Sequence, residues 1–127
     1  MRKRAKILVI EDNQTILELI KVSLEDSGYE VITADKGGEG IIKARKERPD
    51  LITLDVSMQP INGGMVLTAL KGDSLTSSVP VILISVFEEK KDAIRLTTNG
   101  YVSKPFKIEK LLKTVKETLD KKRKTDR

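Results

Sequence analysis

Short apolar runs alternate with amphipathic stretches five times along the chain, and this order restricts the fold more than any other feature of the sequence. The apolar runs read as strands at residues 7–10, 31–33, 51–54, 79–84 and 101–102. The first, third and fourth lack the in-and-out alternation of a half-solvated strand, as expected where helices cover both faces of a sheet. Between them the apolar positions take the helical period. Ile16, Leu17, Ile20 and Leu24 form one stripe, and Ile108, Leu111, Leu112, Val115 and Leu119 form the last. Ile41, Ile42 and Ala44 sketch a second helix, Val66, Ala69 and Leu70 a third, and Ala93, Ile94 and Leu96 a fourth. Asn13 is placed to cap the first helix and Gly28 to close it. Pro49 is placed to stop the second helix, and Pro80 to open the fourth strand. Five βα units without a long insertion predict an α/β fold, (βα)5, with a single doubly wound five-stranded parallel sheet.

At 127 residues the chain suits one compact domain. It has no Cys and no His, which excludes thiol nucleophiles, His/Cys metal sites and any mechanism that needs an imidazole. Carboxylate, hydroxyl and amine chemistry remain. The net charge of +5 is concentrated at the ends: residues 1–6 and 121–127 each net +4, which leaves 7–120 at −3. The expected organisation is a body at 7–120 between a basic N-terminal segment and a basic C-terminal tail or linker. Solvated ends explain that charge more simply than a nucleic-acid partner does. No apolar run reaches the ~20 residues of a membrane helix, so no membrane insertion and a cytoplasmic location are expected.

The polar residues that interrupt the strands fall at ends of the same sense. Glu11 and Asp12 follow the first strand, Asp55 ends the third and Ser85 the fourth, and Lys104 follows the fifth, just before Pro105. In a parallel sheet those ends share one edge, so three carboxylates, a hydroxyl and an ammonium should converge there. Three carboxylates that close repel one another unless a cation joins them. Mg²⁺ suits the set, because it binds a few carboxylate oxygens and keeps waters that phosphate oxygens can replace. Asp55 could then act as a nucleophile and form an acyl phosphate, with Lys104 supplying charge and Ser85 a hydrogen bond.

These residues resemble the receiver domains of two-component response regulators, in particular the chemotaxis-regulator-like ones, over nearly the whole chain. The likeness rests on Val9-Ile10-Glu11-Asp12-Asn13, on residues 50–55 with Met58 and Gly63, on Pro80 through Ser85, and on Gly100-Tyr101-Val102-Ser103-Lys104-Pro105-Phe106. The resemblance implies a flavodoxin-like fold with strand order 2-1-3-4-5. It implies that Glu11, Asp12, Asp55 and the backbone carbonyl of Ser57 hold Mg²⁺, that Asp55 is the phosphoacceptor, and that Lys104 binds the phosphoryl group. Ser85 and Tyr101 would be the switch pair, and the peptide before Pro105 would be cis. The implied partners are a histidine kinase or histidine phosphotransfer protein and a downstream protein target, with no direct nucleic-acid binding. A weak homodimer would use the surface of the fourth helix, fifth strand and last helix. Such a chain is a regulatory phosphoacceptor rather than an enzyme.

Two positions depart from the family pattern. Gln59 stands where Pro is usual, with Pro60 next, and Thr97-Thr98 replace the usual Gly-Ala. They motivate an alternative reading, a phosphorylation-independent pseudo-receiver that acts only as a docking module. Gly37-Gly38-Glu39-Gly40 lacks the order of a phosphate-binding loop and reads as a flexible loop and frayed helix start.

Overall fold

The computed structural model describes residues 4–56, 63–85 and 99–125. The elements run β1 (Lys6–Ile10), α1 (Gln14–Asp26), β2 (Glu30–Ala34), α2 (Gly37–Glu47), β3 (Leu51–Asp55), α3 (Gly63–Lys71), β4 (Val81–Ser85), β5 (Gly100–Ser103) and a C-terminal helix, α4 (Ile108–Thr125). The predicted fourth helix, with Ala93, Ile94 and Leu96, lies outside the described residues, as do Ser57, Met58, Gln59, Pro60 and Thr97-Thr98. The elements reach into both basic ends, since β1 begins at Lys6 and the C-terminal helix continues through Lys121 to Thr125.

The five strands form one parallel sheet in the order β2-β1-β3-β4-β5, the doubly wound flavodoxin-like arrangement. Every residue of the central strand β3 is buried. One face packs Leu8, Ile10, Ile52 and Leu54 against Ala44 of α2 and Val66 and Leu70 of α3. The other packs Ile7, Val9, Leu51 and Ile82 against Leu17, Ile20 and Leu24 of α1 and Leu111 and Val115 of the C-terminal helix. Strands covered on both sides in this way explain the continuous apolar runs.

The helix boundaries follow from local chemistry. The Asn13 side chain accepts from Ile16 N at 3.0 Å and starts α1. Gly28, at φ +96°, takes the left-handed turn that leads to β2. α2 ends on Arg48, itself left-handed at φ 51°, whose N–H donates to Ala44 O at 3.3 Å ahead of Pro49. Pro80 lies just before β4, which starts two residues later than the apolar run; its carbonyl accepts from Ile52 N at 2.9 Å and extends the ladder.

Two helices bury faces that differ from the expected ones. Ile42 is 67% exposed, and the inner face of α2 carries Gly37, Gly40 and Ala44 instead. On α3, Leu67 joins Val66 and Leu70 inside while Ala69 is exposed. A short helix holds too few apolar residues for the period to fix its rotation; contact with the sheet does. The glycine run is therefore the packed first turn of α2 rather than a flexible loop. A Cβ on Gly40 would stand 2.6 Å from Ile10 Cδ1 and 2.9 Å from its Cγ1. Ile10 is buried and β-branched, so it has little freedom to move aside. Gly40→Ala should lower stability by about 1 kcal/mol, since overpacking of ~1–3 kcal/mol outweighs a helix-propensity gain of up to ~1 kcal/mol. Urea unfolding would measure the loss, and Ile10→Val, which removes the clashing methyl, should recover part of it in the double variant.

Candidate metal centre at the carboxyl edge of the sheet

Strand order reverses between β1 and β3, where the connections leave toward opposite faces and open a crevice at the carboxyl ends. Glu11 and Asp12 follow β1 on one side of it, and Asp55 ends β3 on the other. Glu11 N donates to Ala34 O at 3.0 Å, extending the β1–β2 ladder by one residue and fixing the backbone at this point. Its Oε2 accepts from Asn13 N at 3.2 Å, so the turn that caps α1 also orients the carboxylate. Glu11 and Asp55 are each 1% exposed, whereas Asp12 is exposed. One carboxylate oxygen from each of the three lies within 4.8 Å of the others.

Lys104 closes the constellation from β5. Its Nζ lies 3.1 Å from Asp55 Oδ2 and 3.1 Å from Glu11 Oε1, with the side chain 12% exposed. The Lys104–Pro105 peptide is cis, as the resemblance implies. The rim is tied in place as well: Gln14 Nε2 donates to Asp35 Oδ2 at 3.3 Å, and Asp35 N donates to Glu39 Oε1 at 3.0 Å.

Burial first, then the hydrogen bond and charge of Asp55, push the Glu11 carboxyl up to about 7; Asn13 N–H and Lys104 act in the opposite direction. For Lys104, burial alone would lower the pKa, but Asp55 and Glu11 outweigh it and hold the ammonium above its ordinary range. One ammonium does not fully offset two buried carboxylates with a third at the mouth. The set is suited to a small, hard divalent cation, with Asp12 open to solvent at the entrance.

Ser85 ends β4, where its backbone pairs in register with Ser103. Tyr101 is half-buried, with its ring against the cluster that holds Leu54 and Leu83. Ser57, the remaining expected ligand, lies outside the described residues.

Thr53 lies inside the apolar run at 51–54, whose neighbours conceal a buried polar group. It is 1% exposed, and its Oγ1 has no hydrogen-bond partner among the described residues. The two-residue strand period, which puts Thr53 on the same face of β3 as Asp55, was the available signal. An orphaned buried hydroxyl is costly, and Val matches its shape without it. Thr53→Val should therefore raise stability by about 1 kcal/mol, seen as a higher denaturant midpoint at unchanged slope.

The family model described as "Response regulator receiver domain" matches residues 7–116. Protein PilH of Pseudomonas aeruginosa is 34% identical over 118 residues, which cover 91% of this chain and 98% of that protein. The polar-differentiation response regulator DivK of Brucella anthropi is 34% identical over 116 residues, covering 89% of this chain and 94% of DivK. Among solved structures, the chemotaxis response regulator CheY4 of Vibrio cholerae matches with a TM-score of 0.84 at 33% identity, covering 91% of this chain and 99% of that one. A CheY-like receiver domain protein from Methanospirillum hungatei matches with a TM-score of 0.87 at 28% identity, covering 97% and 99%.

Proposed function

The chain belongs to the response regulator receiver domain family of two-component signalling, and on that premise we propose that it is a phosphorylation-dependent switch whose Asp55 accepts a phosphoryl group from a histidine kinase or histidine phosphotransfer protein with Mg²⁺ bound. The observation that carries this reading is the convergence of Glu11, Asp12 and Asp55 within 4.8 Å, with Lys104 Nζ 3.1 Å from Asp55. Glu11, Asp12 and Asp55 would hold the cation, joined by the backbone carbonyl of Ser57. Bound Mg²⁺ supplies the positive charge that lets an anionic phosphoryl group approach a carboxylate cluster.

The chain's own groups account for the rest. An Asp55 oxygen attacks phosphorus, an acyl phosphate bond forms, and the bond to the donor nitrogen breaks with its electron pair leaving on the donor. Lys104 donates to Asp55 Oδ2, and its ammonium would neutralise part of the incoming charge. Ser85 at the end of β4 would donate a hydrogen bond to a phosphoryl oxygen, and Tyr101 would follow it inward. The two-state change would reach the surface of the predicted fourth helix, β5 and the C-terminal helix, where a downstream protein or a second copy binds. Residues 7–120 would form this switch, with 1–6 and 121–127 as basic flanks. It would act in the cytoplasm as a regulator rather than an enzyme; no helix among the described residues is long and apolar enough to cross a membrane.

Intact-mass measurement after incubation with a small phosphodonor tests the reading. With Mg²⁺ the protein should gain one phosphoryl group, and a chelator should prevent the gain. Asp12→Ala, which removes the ligand at the mouth, should lose Mg²⁺ affinity and labelling together. No gain in Mg²⁺, together with no spectral response to beryllofluoride, would overturn the switch and favour the docking module.

A further inference from the structure

In βα units each helix runs antiparallel to its strand, so the helix C-termini gather at the amino edge of the sheet, opposite the carboxylate site. Three of the four described helices have basic last turns there: Arg45 and Lys46 in α2, Lys71 in α3, and Lys122, Arg123 and Lys124 in the C-terminal helix, whereas α1 has none. Cations in a last turn complement the helix dipole, and that suffices for isolated ones. It does not explain the groove of about 880 Å³ bordered by Arg4, Arg48, Lys122 and Arg123, to which Ala5 and Leu119 add apolar surface.

Of the three acids of this groove one, Glu47, is ion-paired within the lining, and a second, Asp50, accepts from a backbone amide. Lys6 Nζ lies 3.7 Å from Glu47 Oε1, and Lys6 N donates to Asp50 Oδ2 at 2.7 Å. Arg48 donates from Nε to Arg45 O at 3.2 Å, a contact that leaves its charge uncompensated. None of Arg4, Arg48, Lys122 and Arg123 forms an ion pair with a described residue, so four unpaired cations face two acids, Glu30 and Asp50, and the lining is net positive. Four unpaired cations against two acids leave the concavity with a positive excess that an anionic partner would offset.

We propose that this groove binds an acidic peptide segment of a partner protein, as a contact separate from the phosphorylation switch. Arginine forks match carboxylates, and a concave site with an apolar part accepts a side chain between two acids. A uniformly anionic strand fits less well, because Glu30 and Asp50 interrupt the positive lining and the groove has no aromatic ring on which a base could stack. A membrane surface fits less well still, since it would meet a concavity.

The test uses the full chain and a fluorescein-labelled peptide rich in Glu and Asp with one Leu, followed by anisotropy. Binding should weaken as salt rises, and Lys122→Glu/Arg123→Glu should lower affinity on the order of tenfold. Arg4→Glu, outside every helix and strand, should lower it as well and guards against an effect of helix fraying. Lys110→Glu/Lys113→Glu makes the same change in net charge on the same helix away from the groove, and should stay within about twofold of wild type. Phosphoryl labelling should be unchanged in all these variants. The proposal fails if the wild-type chain does not bind the peptide, if the control pair loses as much as the groove pair, or if an oligonucleotide or anionic vesicles bind more tightly than the peptide.

Discussion

Asp55→Asn should abolish phosphoryl incorporation while leaving the fold intact. Asn keeps the shape of the side chain and an oxygen that can accept from Lys104 Nζ, which donates to Asp55 Oδ2 at 3.1 Å in the wild-type chain. It removes the anionic nucleophile, because the amide oxygen does not form a stable acyl phosphate. It also removes one of two buried like charges, and Glu11 Oε1, 3.1 Å from the ammonium, still supplies the counter-charge to Lys104. Loss of labelling should therefore come without loss of stability, which separates chemistry from unfolding. The readout is intact mass with Mg²⁺ and a phosphodonor, alongside a denaturation curve for each protein. Labelling of the Asn variant at the wild-type level would place the acceptor on another residue.

In the presence of a chelator, stability should fall as pH rises from about 4.5 to about 7, the reverse of the trend for a carboxylate in an ordinary ion pair. The cause is Glu11, held up at about 7 in the folded chain by burial and by Asp55, against 4.5 for the free side chain. Across that window the folded protein keeps a proton that the unfolded chain has released, so each step up in pH favours unfolding. At 1.36 kcal/mol per unit, the shift corresponds to a contribution on the order of 3 kcal/mol, fully felt above pH 7. Lys104 does not mask the trend: its raised pKa gives stability that persists through this window and is lost only in the alkaline range. Glu11→Gln, which cannot ionise, should flatten the slope and be more stable than wild type at pH 8. Chemical unfolding at several pH values measures both, and a wild-type slope retained in the Gln variant would assign the effect to another group.

Much of this organisation is legible from neighbours a few positions apart in the sequence. Apolar runs long enough for strands and stripes at the helical period specified the alternation of elements, and Asn13 and Gly28 punctuated α1 through bonds and dihedrals confined to single turns. Once the strands are parallel, residues that follow them in the same sense must share an edge, so Glu11, Asp12, Asp55, Ser85 and Lys104 could be brought together on paper. The strand order came from family likeness rather than from any local signal, because order depends on which strands pair across the whole chain.

What separates the two adjacent acids lies in the tertiary structure alone. Glu11 is sealed at 1% exposure against Asp55 and Lys104, while Asp12 faces solvent, although nothing in their side chains foretells the difference. The rotation of α2, which puts Gly40 against Ile10 and turns Ile42 outward, was likewise decided by the sheet. So was the meeting of Arg4, Arg48 and Arg123 at one groove. Propensity and periodicity act over one or two turns of chain, whereas burial, pKa and charge clustering depend on atoms brought close from distant segments, and only the packed fold sets those distances.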